Sequence, residues 1–253
     1  MWMDVAMLTT KRFLRWIVPL MIAAAPMSAL AAAPPTPARA ADVANADWLE
    51  RVHQDLFGRP IAPAAMHAYM LALDSGTPRQ QVVATMLGST EYRASAVTSA
   101  YRELTGRAPD AQTTNAFVVA LGTTATIESV MAQIVGSPEY FKRAGGTNDG
   151  YVGAIYRDLL HRAPTAAERS YARADVVRRT RAAVAQSLLM TDEAHRALVS
   201  SYFARYLHRA VDPQSLAKYT AMLASGARRE AVLAAIFASS DYVNARPPAN
   251  ARG

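Results

Sequence analysis

Two histidines occupy equivalent positions in similar segments, His161 at the end of YRDLLHR (156–162) and His208 at the end of FARYLHR (203–209). Paired imidazoles raise the possibility of a metal site. Two further segments of the same kind carry Gly58 and Gly106 at this position, and glycine or histidine suits the place where a helix ends. We therefore predict that both histidines end helices, and we predict no metal site.

Other candidate chemistry has little support in the residue pattern. Glu193 and His195 form E-x-H, which lacks the second histidine of the H-E-x-x-H zinc helix. Asn148-Asp149-Gly150 lacks the alternating oxygens and the distal glutamate of a calcium loop, so a plain turn is expected. No G-x-S-x-G motif or glycine-rich phosphate loop occurs, and the chain has no cysteine. We predict no catalytic residue and no cofactor, and hence a protein that is not an enzyme.

An arginine and an aromatic residue recur along the chain, always thirty-three residues apart. We call them the register arginines and the register aromatics. The pairs are Arg59 with Tyr92, Arg107 with Tyr140, Arg162 with His195, and Arg209 with Tyr242. A fixed spacing of this kind indicates an internal repeat. A cation–π or carboxylate contact between the register residues is our hypothesis for the role of the pattern.

Helices must position these residues. Each register arginine follows a segment with apolar residues at helical spacing, such as Val52 with Leu56. An acid lies four residues before three of the arginines and could pair with them on one helix face: Asp55, Glu103 and Asp158. The fourth segment has Arg205 at this position.

Two more helices follow in each segment. Asp110, Thr165 and Asp212 lie three residues after an arginine, where each could cap a second helix. A third helix is apolar at positions such as Val82, Met86 and Leu87. We predict an all-α protein of about twelve helices, an array of four three-helix repeats of about 48 residues that stack to form one continuous core.

The predicted organisation runs through the whole chain. We assign a signal peptide or N-terminal anchor to 1–33, a helix-free Pro/Ala linker to 34–47, repeats to 48–95 and 96–143, a Gly-rich insert to 144–150, repeats to 151–197 and 198–245, and a disordered tail to 246–253. The signal peptide rests on a basic start, an apolar run over 16–33 and Ala-x-Ala sites. Export to the periplasm or to the outside of the cell follows from it.

The recurring motifs resemble the bacterial domain-of-unknown-function family 4214. The matching segments are YRELTGRAPD (101–110), YRDLLHRAP (156–164), SGTPRQQVV (75–83), SGARREAV (225–232), and the boxes STEY (89–92) and SPEY (137–140). His161 and His208 replace a glycine of the family pattern, and TDEAH (191–195) departs from the box. The resemblance implies a helical module of secreted or cell-surface bacterial proteins. It implies no catalytic residues.

Charge and export limit the partners. The net charge of +7 is scattered and arises partly from the N-terminal Lys11, Arg12, Arg15 and Arg39. This pattern favours a solvated surface over a nucleic-acid site. We expect a non-enzymatic scaffold or interaction protein, with a protein or a surface polysaccharide as its partner and with membrane contact only through an uncleaved N-terminal segment. A carbohydrate-binding module is the alternative, and a hydrolase with an unrecognised site is the third.

Overall fold

The computed structural model describes residues 37–244, with side chains from residue 41, and this part of the chain is built of helices without strands. The prediction of an all-α fold is therefore confirmed. The predicted segments at 1–33 and 246–253 lie outside the described residues. The helices are α1 Pro37–Phe57, α2 Pro63–Asp74, α3 Arg79–Leu87, α4 Thr90–Thr105, α5 Ala111–Leu121, α6 Ile127–Gly136, α7 Pro138–Arg143, α8 Asn148–Leu160, α9 Ala166–Arg178, α10 Arg181–Leu189, α11 Asp192–Tyr206, α12 Pro213–Ala224, α13 Arg229–Phe237 and α14 Ser240–Asn244.

The helices begin where the sequence places capping residues. Asp110, Thr165 and Asp212 each accept a hydrogen bond from a backbone N–H in the first turn of α5, α9 and α12. Such caps satisfy amide groups that have no partner within the helix. Pro213 occupies the first turn of α12, where the absence of an N–H has no cost. The predicted caps are confirmed.

Two segments predicted without helix are in fact helical. The proposed linker at 34–47 was expected to be helix-free, but α1 begins at Pro37, because proline is tolerated in a first helical turn and an alanine-rich stretch follows it. Asn148-Asp149-Gly150 was expected to be a plain turn. It forms the first turn of α8, because Thr147 caps the helix by accepting a hydrogen bond from the amide of Gly150.

The boxes that contain the register aromatics explain the number of helices. Tyr140 and Tyr242 lie on separate short helices, α7 and α14. Tyr92 and His195, in contrast, lie in the first turns of α4 and α11, and each of these helices continues without a break to the next arginine segment. The described residues therefore form fourteen helices rather than about twelve.

The buried apolar residues form two clusters, so the prediction of one continuous core is wrong. One cluster joins residues 97–194. The other joins residues near the start of the described chain, including Trp48, with residues 199–242. The third helices cause this division: α3 packs on α13, and α6 packs on α10. Each presents apolar residues at i, i+1, i+4 and i+5, a face broad enough to cover a matching helix. Segments one and four thus share one core, and segments two and three share the other.

The helices α4 and α11 connect the two clusters. Val97 and Leu104 of α4 belong to the first cluster, while Tyr92 at its N-terminal end packs against the second. On α11, Ala194 belongs to the first cluster and Phe203 to the second. Among the described residues, no helix is both long enough and apolar enough to cross a membrane.

Candidate functional site

The four register arginines make the same contact, and we call it the arginine clasp. Each guanidinium binds a carboxylate in the next box, with N···O distances of 2.8 Å for Arg59–Glu91, 2.6 Å for Arg107–Glu139, 2.5 Å for Arg162–Glu193 and 2.5 Å for Arg209–Asp241. Each arginine also donates to the carbonyl of the residue that follows it. The clasp ties the end of one segment's first helix to the start of the next box.

Of the two contacts considered for the register arginine, cation–π or carboxylate, the structure shows the carboxylate contact. The arginine binds the acid directly before the register aromatic, or two residues before it in the case of Glu193 and His195, and not the aromatic ring itself. Its ring contact is local: Arg107 lies 5.3 Å from the centroid of Tyr101, and Arg162 and Arg209 make the equivalent contacts with Tyr156 and Phe203. The clasp carboxylates were not among the predicted site residues. The sequence signal for them is the acid in boxes such as STEY (89–92) and SPEY (137–140).

The acids four residues before the arginines serve a different purpose from the one predicted. Asp158 accepts a hydrogen bond from the Tyr140 hydroxyl at 2.6 Å, and Asp55 accepts one from the Tyr242 hydroxyl at 2.6 Å. The acid and the arginine do not pair on one helix face, because the residue before each arginine has a left-handed backbone conformation. This conformation ends the helix and directs the arginine away from the acid. The φ angle is 55° at His161 and 69° at Gly58. The prediction that these positions end helices is confirmed.

The two Tyr–Asp bonds involve only half of the equivalent positions. Tyr92 and Glu103 correspond to the tyrosine and the acid, but both lie on α4, eleven residues apart and on one face of the helix. His195 and Arg205 are the corresponding residues of α11. A residue cannot reach its counterpart three turns along the same helix. The residues at these four positions therefore form no hydrogen bond equivalent to the two Tyr–Asp bonds.

Instead, all four line a cleft of about 360 Å³. Its walls are chiefly α4 and α11, and its lining includes residues with hydroxyl groups: Tyr92, Ser95, Ser99, Ser201, Tyr202 and Tyr206. Small-molecule sites in proteins enclose roughly 300–1,000 Å³. The cleft therefore has the size of a site for a small ligand or for one or two units of a polymer.

An ion pair lies at the base of the cleft. Nε of Arg229, in the first turn of α13, is 2.5 Å from Oε1 of Glu128 on α6, and both side chains are largely buried. Burial alone would raise the pKa of Glu128, but the charge of Arg229 and hydrogen bonds hold this pKa below its usual value. Glu128 therefore carries its charge in the folded protein. Neither residue was predicted, because their positions are 101 apart in the sequence.

Several polar groups of the cleft have no hydrogen-bond partner among the described residues. The His195 ring is one, in a residue that is only 8% exposed, and the hydroxyl of Tyr202, in a residue 9% exposed, is another. Burial raises the pKa of the Tyr202 hydroxyl, which therefore keeps its proton. These two groups keep access to solvent, since the buried side-chain atoms without a partner in the described residues belong to Arg79, Thr220 and Glu230. The cleft thus presents donors and acceptors that a bound molecule could satisfy.

Carboxylates and histidines do not assemble into a metal centre in the part of the chain described. Within it, no group of three or more histidine and acidic residues is placed to hold a metal ion. His161 is the C-cap of α8, His208 lies two residues after the last residue of α11, and each has positive φ. Their shared position reflects the backbone conformation that ends the helix.

Comparison with known proteins gives one match. A family model described as a domain of unknown function (DUF4214) matches residues 27–96. No curated protein and no solved structure matches the chain significantly. The matched range covers α1 to α3 and the first turns of α4, including the first arginine clasp and the STEY box. The resemblance to the DUF4214 family is therefore confirmed, over residues 27–96.

Proposed function

We propose that the protein is an exported, non-enzymatic binding scaffold that holds a partner in the cleft between α4 and α11. The partner is a protein or a surface polysaccharide, and nucleic acid is excluded by export and by the scattered charge. Membrane contact is confined to the N-terminal segment if it stays uncleaved. We further propose that the scaffold consists of four three-helix units of about 48 residues each.

The unequal use of equivalent residues is the observation that carries the proposal. All four arginine clasps are made, and two of the four tyrosine positions are hydrogen-bonded to acids. The other tyrosine and acid positions line the cleft. On α11 the tyrosine is replaced by His195 and the acid by Arg205. A purely structural repeat has no need for this change. A cleft that binds a partner does, because an asymmetric ligand requires different groups on its two walls.

The carboxylates of the cleft favour binding over hydrolysis. Glycosidases need two free carboxylic groups that flank the bond to be broken. Glu128 is paired with Arg229, and Asp158 is held by Tyr140 and Arg143. Glu103 is the cleft carboxylate without such an engagement in the described residues. This arrangement supports a binding role.

A blocked cleft tests the proposal. Ser99 is exposed and lines the cleft, so Ser99→Tyr fills it. Ser170→Tyr is the matched control, because Ser170 is exposed on α9 outside the cleft. We expect the unmodified chain and the Ser170→Tyr variant to retain the same protein or polysaccharide from an envelope extract, and Ser99→Tyr to lose it. Equal retention by both variants at unchanged melting temperature contradicts the proposal.

A further inference from the structure

We propose that the ligand of the cleft is a neutral saccharide, a free disaccharide or the units of a surface polysaccharide. This inference rests on the proposed binding function and specifies the chemistry of the same site. The cleft combines aromatic rings, hydroxyl groups and a few charged groups of both signs. Saccharides match such a mixture, since each sugar hydroxyl both donates and accepts while the C–H faces of the ring are apolar.

The charges of the cleft favour a neutral ligand. Glu103 and Arg205 are both exposed and stand at equivalent positions of α4 and α11 with opposite signs. At the base, Glu128 and Arg229 neutralise each other at 2.5 Å. An anionic or a cationic ligand would meet no unbalanced opposite charge in these groups. A neutral ligand avoids the cost of burying a charge, and its hydroxyl groups can exchange water for hydrogen bonds with the lining.

The tyrosines supply both aromatic surface and hydrogen bonds. Tyr202 and Tyr206 lie side by side with centroids 6.0 Å apart, and both line the cleft with Tyr92. The hydroxyls of these three have no hydrogen-bond partner among residues 41–244, whereas those of Tyr140 and Tyr242 are bonded to aspartates. Tyrosine is suited to interfaces with one apolar and one polar side.

The His195 ring and the Tyr202 hydroxyl then become the groups that select the ligand. Both residues are more than nine-tenths buried and both face the cleft. A site built to hydrogen-bond hydroxyl groups discriminates against molecules without them, because such a molecule displaces water from its polar groups and offers them no new partner. Ser95, Ser99 and Ser201 extend this hydroxyl-rich lining toward solvent.

Calorimetric titration of the full chain with maltose, cellobiose and lactose tests the inference, with glycylglycine as a zwitterionic comparison. We expect at least one disaccharide to bind and glycylglycine not to bind. Tyr202→Phe removes only a hydroxyl without a partner, so it should weaken binding about five- to tenfold at unchanged melting temperature. Tyr242→Phe is the matched control, because the Tyr242 hydroxyl is bonded to Asp55, outside the lining of the cleft, so this variant should lower the melting temperature and leave the affinity unchanged.

Three results overturn the inference: no binding of any of the disaccharides at 10 mM, binding of glycylglycine instead, or equal affinities for the unmodified chain and Tyr202→Phe. The envelope extract separates this failure from that of the binding function. If no disaccharide binds but Ser99→Tyr still abolishes retention of an envelope partner, the saccharide assignment falls and the binding function stands. If retention is also insensitive to Ser99→Tyr, both fall.

Discussion

Single residues in this protein have roles that depend on which partner the fold brings to them. Asp55 and Glu103 occupy equivalent positions before a register arginine, yet Asp55 is bonded to Tyr242 and Glu103 lines the cleft. Burial raises the pKa of Asp55, and the hydrogen bond from Tyr242 opposes this effect. The same local sequence thus produces a structural group in one place and a group available for binding in the other.

The Glu128–Arg229 pair gives a prediction for the pH dependence of stability. The pKa of Glu128 is lower in the folded protein than in the unfolded chain. Its contribution to the free energy of unfolding is therefore complete above the unfolded pKa and is lost as the pH falls through the lower folded pKa. We expect Glu128→Gln to reduce the free energy of unfolding by about 3 kcal/mol at pH 7, because it leaves a buried arginine unpaired.

Urea unfolding at several pH values measures this effect. The difference between the unmodified chain and Glu128→Gln should narrow as the pH falls from 5 to 3. Glu91→Gln is the control, since the Arg59–Glu91 pair is about half exposed and such pairs contribute roughly 0–1 kcal/mol. A constant difference over this pH range would show that Glu128 does not hold its charge through this pair.

Local contacts were accessible from the sequence, and distant ones were not. The caps at Asp110, Thr165 and Asp212 were predictable because a cap needs only the amides that follow it within three residues. The positive φ at His161 and His208 was predictable from glycine at equivalent positions. The Glu128–Arg229 pair could not be predicted, because no periodic pattern links one position in segment two with one in segment four.

At the scale of helices, the pairing of α6 with α10 depends on a close approach at Gly136. A Cβ atom on Gly136 would lie 2.8 Å from the backbone nitrogen and the Cβ of Ala182. This is closer than non-bonded atoms can pack, so the two helices would have to separate. The resulting overpacking should cost about 1–3 kcal/mol.

We therefore predict that Gly136→Ala lowers the free energy of unfolding by that amount, measured by chemical denaturation. Gly153→Ala in α8 is the matched control. A Cβ there would meet its nearest atom, Nη1 of Arg157, at 3.5 Å, which is an ordinary contact. Since alanine favours a helix interior over glycine by about 1 kcal/mol, Gly153→Ala should stabilise the protein. Stabilisation by both variants would argue against the close packing of α6 on α10.

Apolar periodicity predicted that these segments are helices, but it did not predict which helices pack against one another. The pattern of Val82, Met86 and Leu87 predicts an apolar face without stating which helix covers it. Stacking of neighbours was the expectation, and the structure pairs α3 with α13 instead. Periodicity is a local property, whereas the choice among several similar apolar faces depends on the lengths and directions of the connecting helices α4 and α11.

At the scale of the molecule, the start of the described chain packs against its end. Trp48 of α1 is fully buried, and its Nε1 donates a hydrogen bond to the carbonyl of Phe237 at 2.9 Å. The Tyr242 hydroxyl binds Asp55 in the same region. In a linear stack of four units, these residues would belong to opposite ends. The first segment therefore packs on the fourth, and α4 and α11 run from this shared core to the other one.

Nuclear Overhauser contacts from the Trp48 indole proton test this closure most directly. Replacement of Trp2 and Trp16 by phenylalanine leaves Trp48 as the single tryptophan, so its indole N–H resonance is unambiguous. The hydrogen bond to Phe237 predicts cross-peaks from this proton to the backbone protons of Phe237 and Ala238, and slow exchange with solvent. An indole proton that exchanges rapidly and shows contacts only within residues 37–100 would contradict the pairing of the first segment with the fourth.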